Sequence, residues 1–187
     1  LAAEVTEKRS DGRVVVRFDA GAQLDEIVDE IGRTPLPPYI RRDKESPDGD
    51  RERYQTVFAS RRGAIAAPTA GLHFSAKIFE EIAERGIDVA EITLHVGYGT
   101  FEPVRAAELK DHSVAAERFE ISGPAAEKLE RARRDKRRIV AVGTTTARTL
   151  EHAIEIGGEF RPSAGHAALT IRPGYRFRAV GALLTNF

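Results

Sequence analysis

Ile139-Val140-Ala141-Val142-Gly143-Thr144-Thr145-Thr146 decides the fold class. Four apolar residues in a row are the mark of a strand buried on both faces, the habit of parallel sheets. A glycine and three hydroxyl residues follow at once. They open a helix that carries Ala147, Leu150 and Ile154 and closes at Gly157-Gly158. Strand, tight turn and helix in that order form the unit of an α/β layered core. Such a turn also presents amides and hydroxyls to an anion or carboxylate. N-capping by one of Thr144, Thr145 and Thr146 is the plainer account, although a cap needs only one of them.

Upstream, Thr93-Leu94-His95-Val96-Gly97-Tyr98-Gly99-Thr100-Phe101-Glu102-Pro103-Val104 reads as a strand entering a glycine turn. Ala90, Ile92, Leu94 and Val96 alternate with Glu91, Thr93 and His95, so one face is apolar and the other polar over Ile87–Val96. Gly97 and Gly99 permit a close ligand approach, or simply shape the turn.

The remaining elements flank these two. Val14–Phe18 is a β run, and Leu24, Ile27, Val28 and Ile31 have helical spacing that Gly32 stops. Thr34–Ile40 holds three prolines and is extended, either a linker or a rigid wall. The charged run Arg41–Arg53 is read as a solvated loop. Tyr54–Ala59 and Ala64–Ala67 read as short extended pieces. Pro68–Phe74 is a loop of small residues, and Ser75 caps a helix over Ala76–Arg85 with Ile78, Phe79 and Ile82 inward. Phe119–Ile121 is extended, Ser122 and Pro124 start a helix through Arg134, and Ala168–Ile171 is a last strand before the Pro173-Gly174 turn. Arg131, Arg133, Arg134, Lys136, Arg137 and Arg138 crowd a helix C-terminus. That is favourable for the helix dipole, and an RNA-phosphate contact is the sharper alternative.

The chain has 187 residues, 41% hydrophobic and 31% charged, with net charge 0 and neither Cys nor Met. This composition is that of a soluble globular protein, and no window approaches the ~18 apolar residues of a membrane span. Disulfides and thiolate chemistry are excluded, which fits a cytoplasmic location. Net neutrality means that nucleic-acid binding would rest on local patches. Without an initial Met, and with a last run Leu183–Phe187 that is mostly apolar, the chain is expected to be part of a longer protein.

Several stretches together resemble the S-adenosylmethionine:tRNA ribosyltransferase-isomerase family of queuosine biosynthesis. They are Pro35–Ile40, Tyr54–Val57, Ala67–Phe74, Thr93–Gly97 with Gly99–Phe101 and Pro103-Val104, Ala141–Thr145 with Arg148–Glu151, Pro173-Gly174, and Leu184–Phe187. They occur in the family's order over nearly the whole chain. The resemblance implies transfer and isomerisation of the ribosyl part of S-adenosylmethionine onto 7-aminomethyl-7-deazaguanine at a tRNA wobble position. Epoxyqueuosine forms, and adenine and methionine leave. It implies S-adenosylmethionine as substrate, tRNA as partner, no metal, no membrane and a monomer. The implied fold is an α/β core with an inserted β-barrel that is largely missing here. Residues 1–20 would be the last piece of that barrel and 21–187 a partial catalytic core. Two departures stand out. The family's second His of a His-x-Met-His-x-Glu segment is Ala115 here, and its Thr-Asp pair is Ala167-Ala168.

The implied reaction needs a base beside the sulfonium carbon, a donor for departing adenine, and polar anchors. His73, His95 and His112 are the candidate bases, since neutral imidazole suits pH 7; a structural hydrogen bond in a turn is the alternative for each. His152 and His166 are taken as surface residues. Candidate substrate-binding residues are Tyr39, Thr69, Gly71, Gly97, Gly99, Thr100, Phe101, Glu117, Thr144, Thr145 and Arg148. Arg148 could instead pair with Glu151 on the next turn, and Glu117 with Arg118 or a lysine. Two readings compete with the enzyme. One is a non-catalytic or substrate-altered paralogue that binds tRNA or an adenosine ligand. The other is a methyltransferase, whose strand-glycine-acid pattern is not found.

Overall fold

The computed structural model describes residues 2–10, 12–19, 21–37, 40, 49–97, 108 and 113–186. The chain divides into two units, Leu1–Thr34 and Pro35–Phe187. In the first, strands β1 (Ala3–Lys8) and β2 (Val14–Phe18) form an antiparallel hairpin with Ala3 opposite Phe18 and Lys8 opposite Val14. Helix α1 (Leu24–Ile31) follows, with the expected apolar stripe, and Gly32 leaves it in extended conformation. Among the described residues there is no closed barrel.

The second unit holds the core. Helix α2 (Asp50–Arg53) is a single turn inside the run expected to be loop, and α3 (Ala76–Glu84) follows. Ser75 caps α3 through its Oγ, which accepts from the Ile78 amide at 3.4 Å. Phe79 and Ile82 are half-buried as expected, but Ile78 is exposed. Strand β3 is only Thr93–His95, not the ten residues the alternation suggested. The face was read correctly, since Ala90, Ile92 and Leu94 all pack on the core, but only three residues find a partner strand. Tyr54–Ala59 and Ala64–Ala67 form turns and irregular backbone instead of strands.

Strand β4 (Glu117–Ile121) lies between β3 and β6 (Ser163–Ala167), antiparallel to both. Helix α4 (Gly123–Arg134) starts at the Ser122 cap with Pro at its first turn, as expected. Strand β5 (Val140–Val142) runs parallel to β7 (Ala182–Leu184). The parallel pairing was anticipated; burial on both faces was not, because Val140 is 49% exposed while Ala141 is 1%. The last strands are β6 and β7, and Ala168–Ile171 is irregular. Helix α5 (Thr144–Gly157) touches both β5 and β6, joining the antiparallel and parallel sheets into one mixed α/β core. That core is built of Phe119, Ile121, Leu129, Ile139, Leu150, Ile154, Phe160 and Val180 with small alanines between them. Among the described residues no helix is long and apolar enough to cross a membrane.

Candidate active site

The turn after β5 organises a cleft of about 210 Å³. Gly143 sits at φ +90°, a conformation that a side chain resists. Its amide donates to the Leu184 carbonyl at 2.8 Å, which ties the turn to the end of β7. Gly143 is itself the N-cap of α5, and no threonine side chain caps the helix. The plainer account of Thr144–Thr146 therefore fails: their hydroxyls are not spent on capping. Thr144 and Thr145 line the cleft, opposite Ala66, Ala67, Pro68 and Thr69, with Pro37, Tyr54, Val96 and Thr185 completing the wall. A helix start with uncapped amides and four threonine hydroxyls suits a carboxylate or phosphate.

Of the residues expected from sequence, Thr69, Thr144 and Thr145 meet here. Gly71 lies in the 3-10 turn Thr69–His73 and is buried; a Cβ there would stand 2.7 Å from the Phe58 ring and 2.9 Å from Thr56 Cγ2. Its role in the structure is to let that turn pack closely, which holds Thr69 against the cleft. Gly97 follows the lining residue Val96 and faces open space. His73 is exposed at the end of the 3-10 turn. His95 is half-buried on β3, opposite Arg118, and its ring lies against Gly63: a Cβ on Gly63 would stand 2.6 Å from Nδ1. Neither histidine is among the residues lining the cleft. His152, expected at the surface, is instead half-buried and meets Phe119 edge to face at 6.1 Å, while His166 is exposed as expected. Tyr39, Gly99, Thr100, Phe101 and His112 lie outside the described residues.

Glu117 and Arg148 are buried together, and neither is among the residues lining the cleft. Their carboxylate and guanidinium form an ion pair, and Arg148 also donates to the Ala115 carbonyl at 3.0 Å. The partners weighed from sequence were different ones, Glu151 for Arg148 and Arg118 or a lysine for Glu117. Glu117 also faces Ala167 in the β4–β6 register. Ala115, one departure noted in the sequence, thus accepts from Arg148 through its carbonyl, and Ala167, the first residue of the Ala167-Ala168 departure, lies opposite Glu117.

From sequence Glu151 was weighed only as a partner for Arg148 on the next turn, and that pair does not form. Glu151 is fully buried, and its carboxylate accepts from the Tyr175 hydroxyl (3.1 Å) and from the amides of Arg178, Ala179 and Val180 (2.9, 2.9 and 2.8 Å). Burial and the adjacent Glu151 charge push the Tyr175 hydroxyl up to about 12. In the basic cluster, Arg133 pairs with Glu130 at 2.7 Å and Arg137 with Asp88 at 2.9 Å. The Arg133 hydrogen bond holds the Glu130 carboxyl below its ordinary value. Thr185, Pro37 and Tyr54 were also missed as lining residues, although each lies in a stretch that carried the resemblance.

The chain matches the model of a family described as queuosine biosynthesis protein over residues 1–187. It is 49% identical over 184 residues to the S-adenosylmethionine:tRNA ribosyltransferase-isomerase of Geobacter sulfurreducens, covering 98% of this chain and 53% of that protein. To the protein of that name from Trichlorobacter lovleyi it is 45% identical, covering 100% of this chain and 54% of the relative. A crystal structure of an S-adenosylmethionine tRNA ribosyltransferase from Thermotoga maritima aligns at TM-score 0.49 and 36% identity, covering 63% of this chain and 36% of that one. The chain spans about half the length of the curated relatives it matches. With its full length matched by the family model, the chain belongs to the queuosine biosynthesis protein family.

Proposed function

We propose that this chain carries part of an S-adenosylmethionine:tRNA ribosyltransferase-isomerase. The observation that carries the reading is near half identity, along the whole chain, to relatives of that name. The reaction would place the ribosyl group of S-adenosylmethionine on 7-aminomethyl-7-deazaguanine in a tRNA anticodon, giving epoxyqueuosine and releasing adenine and methionine. The cleft supports it chemically. Thr144, Thr145 and the α5 N-terminus would hold the carboxylate of the methionyl end, with Thr69 and Thr185 on the facing walls. His73, His95 and His112 remain the candidate bases for the carbon beside the sulfonium. The Gly63 backbone covers the Nδ1 edge of His95, so Nε2 is the nitrogen of that ring to test. Residues 1–20 are read as the closing piece of a β-barrel and 21–187 as catalytic core; the protein is read as a cytoplasmic monomer that needs no metal.

A second reading, a substrate-altered or non-catalytic paralogue, is favoured by one observation: Ala115 and Ala167, one residue from each departure, lie next to the Glu117–Arg148 pair. A single-turnover assay separates the two. Protein is mixed with S-adenosylmethionine and tRNA bearing 7-aminomethyl-7-deazaguanine, and adenine release and nucleoside mass are followed. Adenine release with the mass gain of the epoxycyclopentane-diol adduct is the expected result. Tight tRNA binding without adenine would move the conclusion to the paralogue, and methyl transfer to RNA would overturn both.

A further inference from the structure

The segment from Tyr175 to Val180 lacks regular structure, yet it must deliver β7 beside β5. Three consecutive amides there converge on one side chain. Glu151 Oε2 accepts from the Arg178 amide and the Tyr175 hydroxyl, and Oε1 from the Ala179 and Val180 amides. Successive backbone amides aimed at one point form an anion-binding concavity, and here the chain fills it with its own carboxylate. The next residues continue the path. Gly181 and Ala182 amides donate to the Ile139 carbonyl, β7 runs along β5, and Leu184 accepts from the Gly143 amide. Thr185 then enters the cleft beside Thr144 and Thr145.

We propose that Glu151 is a positioning residue for the cleft: its carboxylate fixes the Tyr175–Val180 segment and so sets the Thr185 wall against Thr144 and Thr145. This rests on the reading of the cleft as the substrate site. The same helix, α5, carries the threonines at its start and the clamp about two turns later. Both walls are thus referred to one rigid element. A charged acceptor is required. A carboxamide puts an NH2 where Oε2 accepts, and two donors then face each other at Arg178.

The test is hydrogen exchange resolved to single amides, with S-adenosylmethionine binding in parallel, on wild type, Glu151→Gln and Tyr175→Phe. In Glu151→Gln the Arg178–Val180 and Gly143 amides are expected to exchange at least about tenfold faster while Phe119–Ile121 stay protected. S-adenosylmethionine binding should weaken by about the same factor. Tyr175→Phe removes one bond of four and should speed Gly143 exchange about threefold; it carries the test if Glu151→Gln does not fold. Unchanged exchange at Gly143 in either folded variant overturns the proposal. Wild type that neither binds S-adenosylmethionine nor releases adenine would overturn the functional reading instead, leaving the exchange result to decide the clamp.

Discussion

Glu117→Gln should be a costly change despite its conservative chemistry. Both partners of the Glu117–Arg148 pair are 8% exposed, so water cannot replace either one. Neutralising Glu117 leaves a guanidinium buried beside an amide, which costs about 3–5 kcal/mol when one member of a buried pair is lost. For a domain of this size each kcal/mol lowers Tm by about 2–4 °C, so a fall of roughly 6–20 °C is expected. The Asp88–Arg137 pair is a solvated internal control, with side chains 52% and 51% exposed. Asp88→Asn should cost less than about 1 kcal/mol. The double variant Glu117→Leu with Arg148→Met removes both charges of the pair and should cost less than the sum of its single variants. The Ala115 carbonyl it abandons belongs to an exposed residue and can turn to water. Thermal and urea unfolding of these proteins, with the single variants Glu117→Leu and Arg148→Met added, supply a double-mutant cycle. If Glu117→Gln costs no more than Asp88→Asn, or if the double variant costs the sum of its singles, the pair is not the buried structural unit described here. A double variant that folds well and still binds S-adenosylmethionine would also remove both residues from the substrate site.

Three further outcomes are expected. Gly63→Ala adds a Cβ 2.6 Å from His95 Nδ1 at φ +127°, and should cost about 1–3 kcal/mol in urea unfolding while displacing the imidazole resonances of His95 in NMR spectra; unmoved resonances would contradict the packing. Ile121→Ala empties a site only 1% exposed, and should cost about 2–5 kcal/mol by chemical denaturation. Tyr175 titrates from an ordinary 10.0 in the unfolded chain to about 12 in the fold. Its folded pKa is the higher, so its contribution is whole below pH 10 and is lost as pH rises towards 12. Tyr175→Phe should show a shallower loss of stability across that window in pH-dependent unfolding.

Local chemistry was legible along the chain because its signals act within a few residues. Ser75 and Ser122 announced α3 and α4, the apolar run before Gly143 announced a parallel strand, and glycine followed by hydroxyls announced the start of α5. The threonines expected to face a ligand do line the cleft with Thr69. Strand length was not legible, since pairing depends on a neighbour elsewhere: the alternation over Ile87–Val96 is real, yet only Thr93–His95 meets β4.

The sequence by itself determined the α/β class, the family and the starts of α3, α4 and α5, each carried by short spacings or by motifs in register. Only the tertiary structure decided which charges are used up. Arg148 passes over Glu151 three residues away for Glu117, 31 residues away, because the start of β4, the central strand of its sheet, brings Glu117 into the dry interior beside α5. Glu151 is then left to collect three amides and a hydroxyl 24–29 residues ahead. Both choices turn on desolvation. A charge on a helix must find its partners wherever folding excludes water, and no spacing along the chain encodes where that will be.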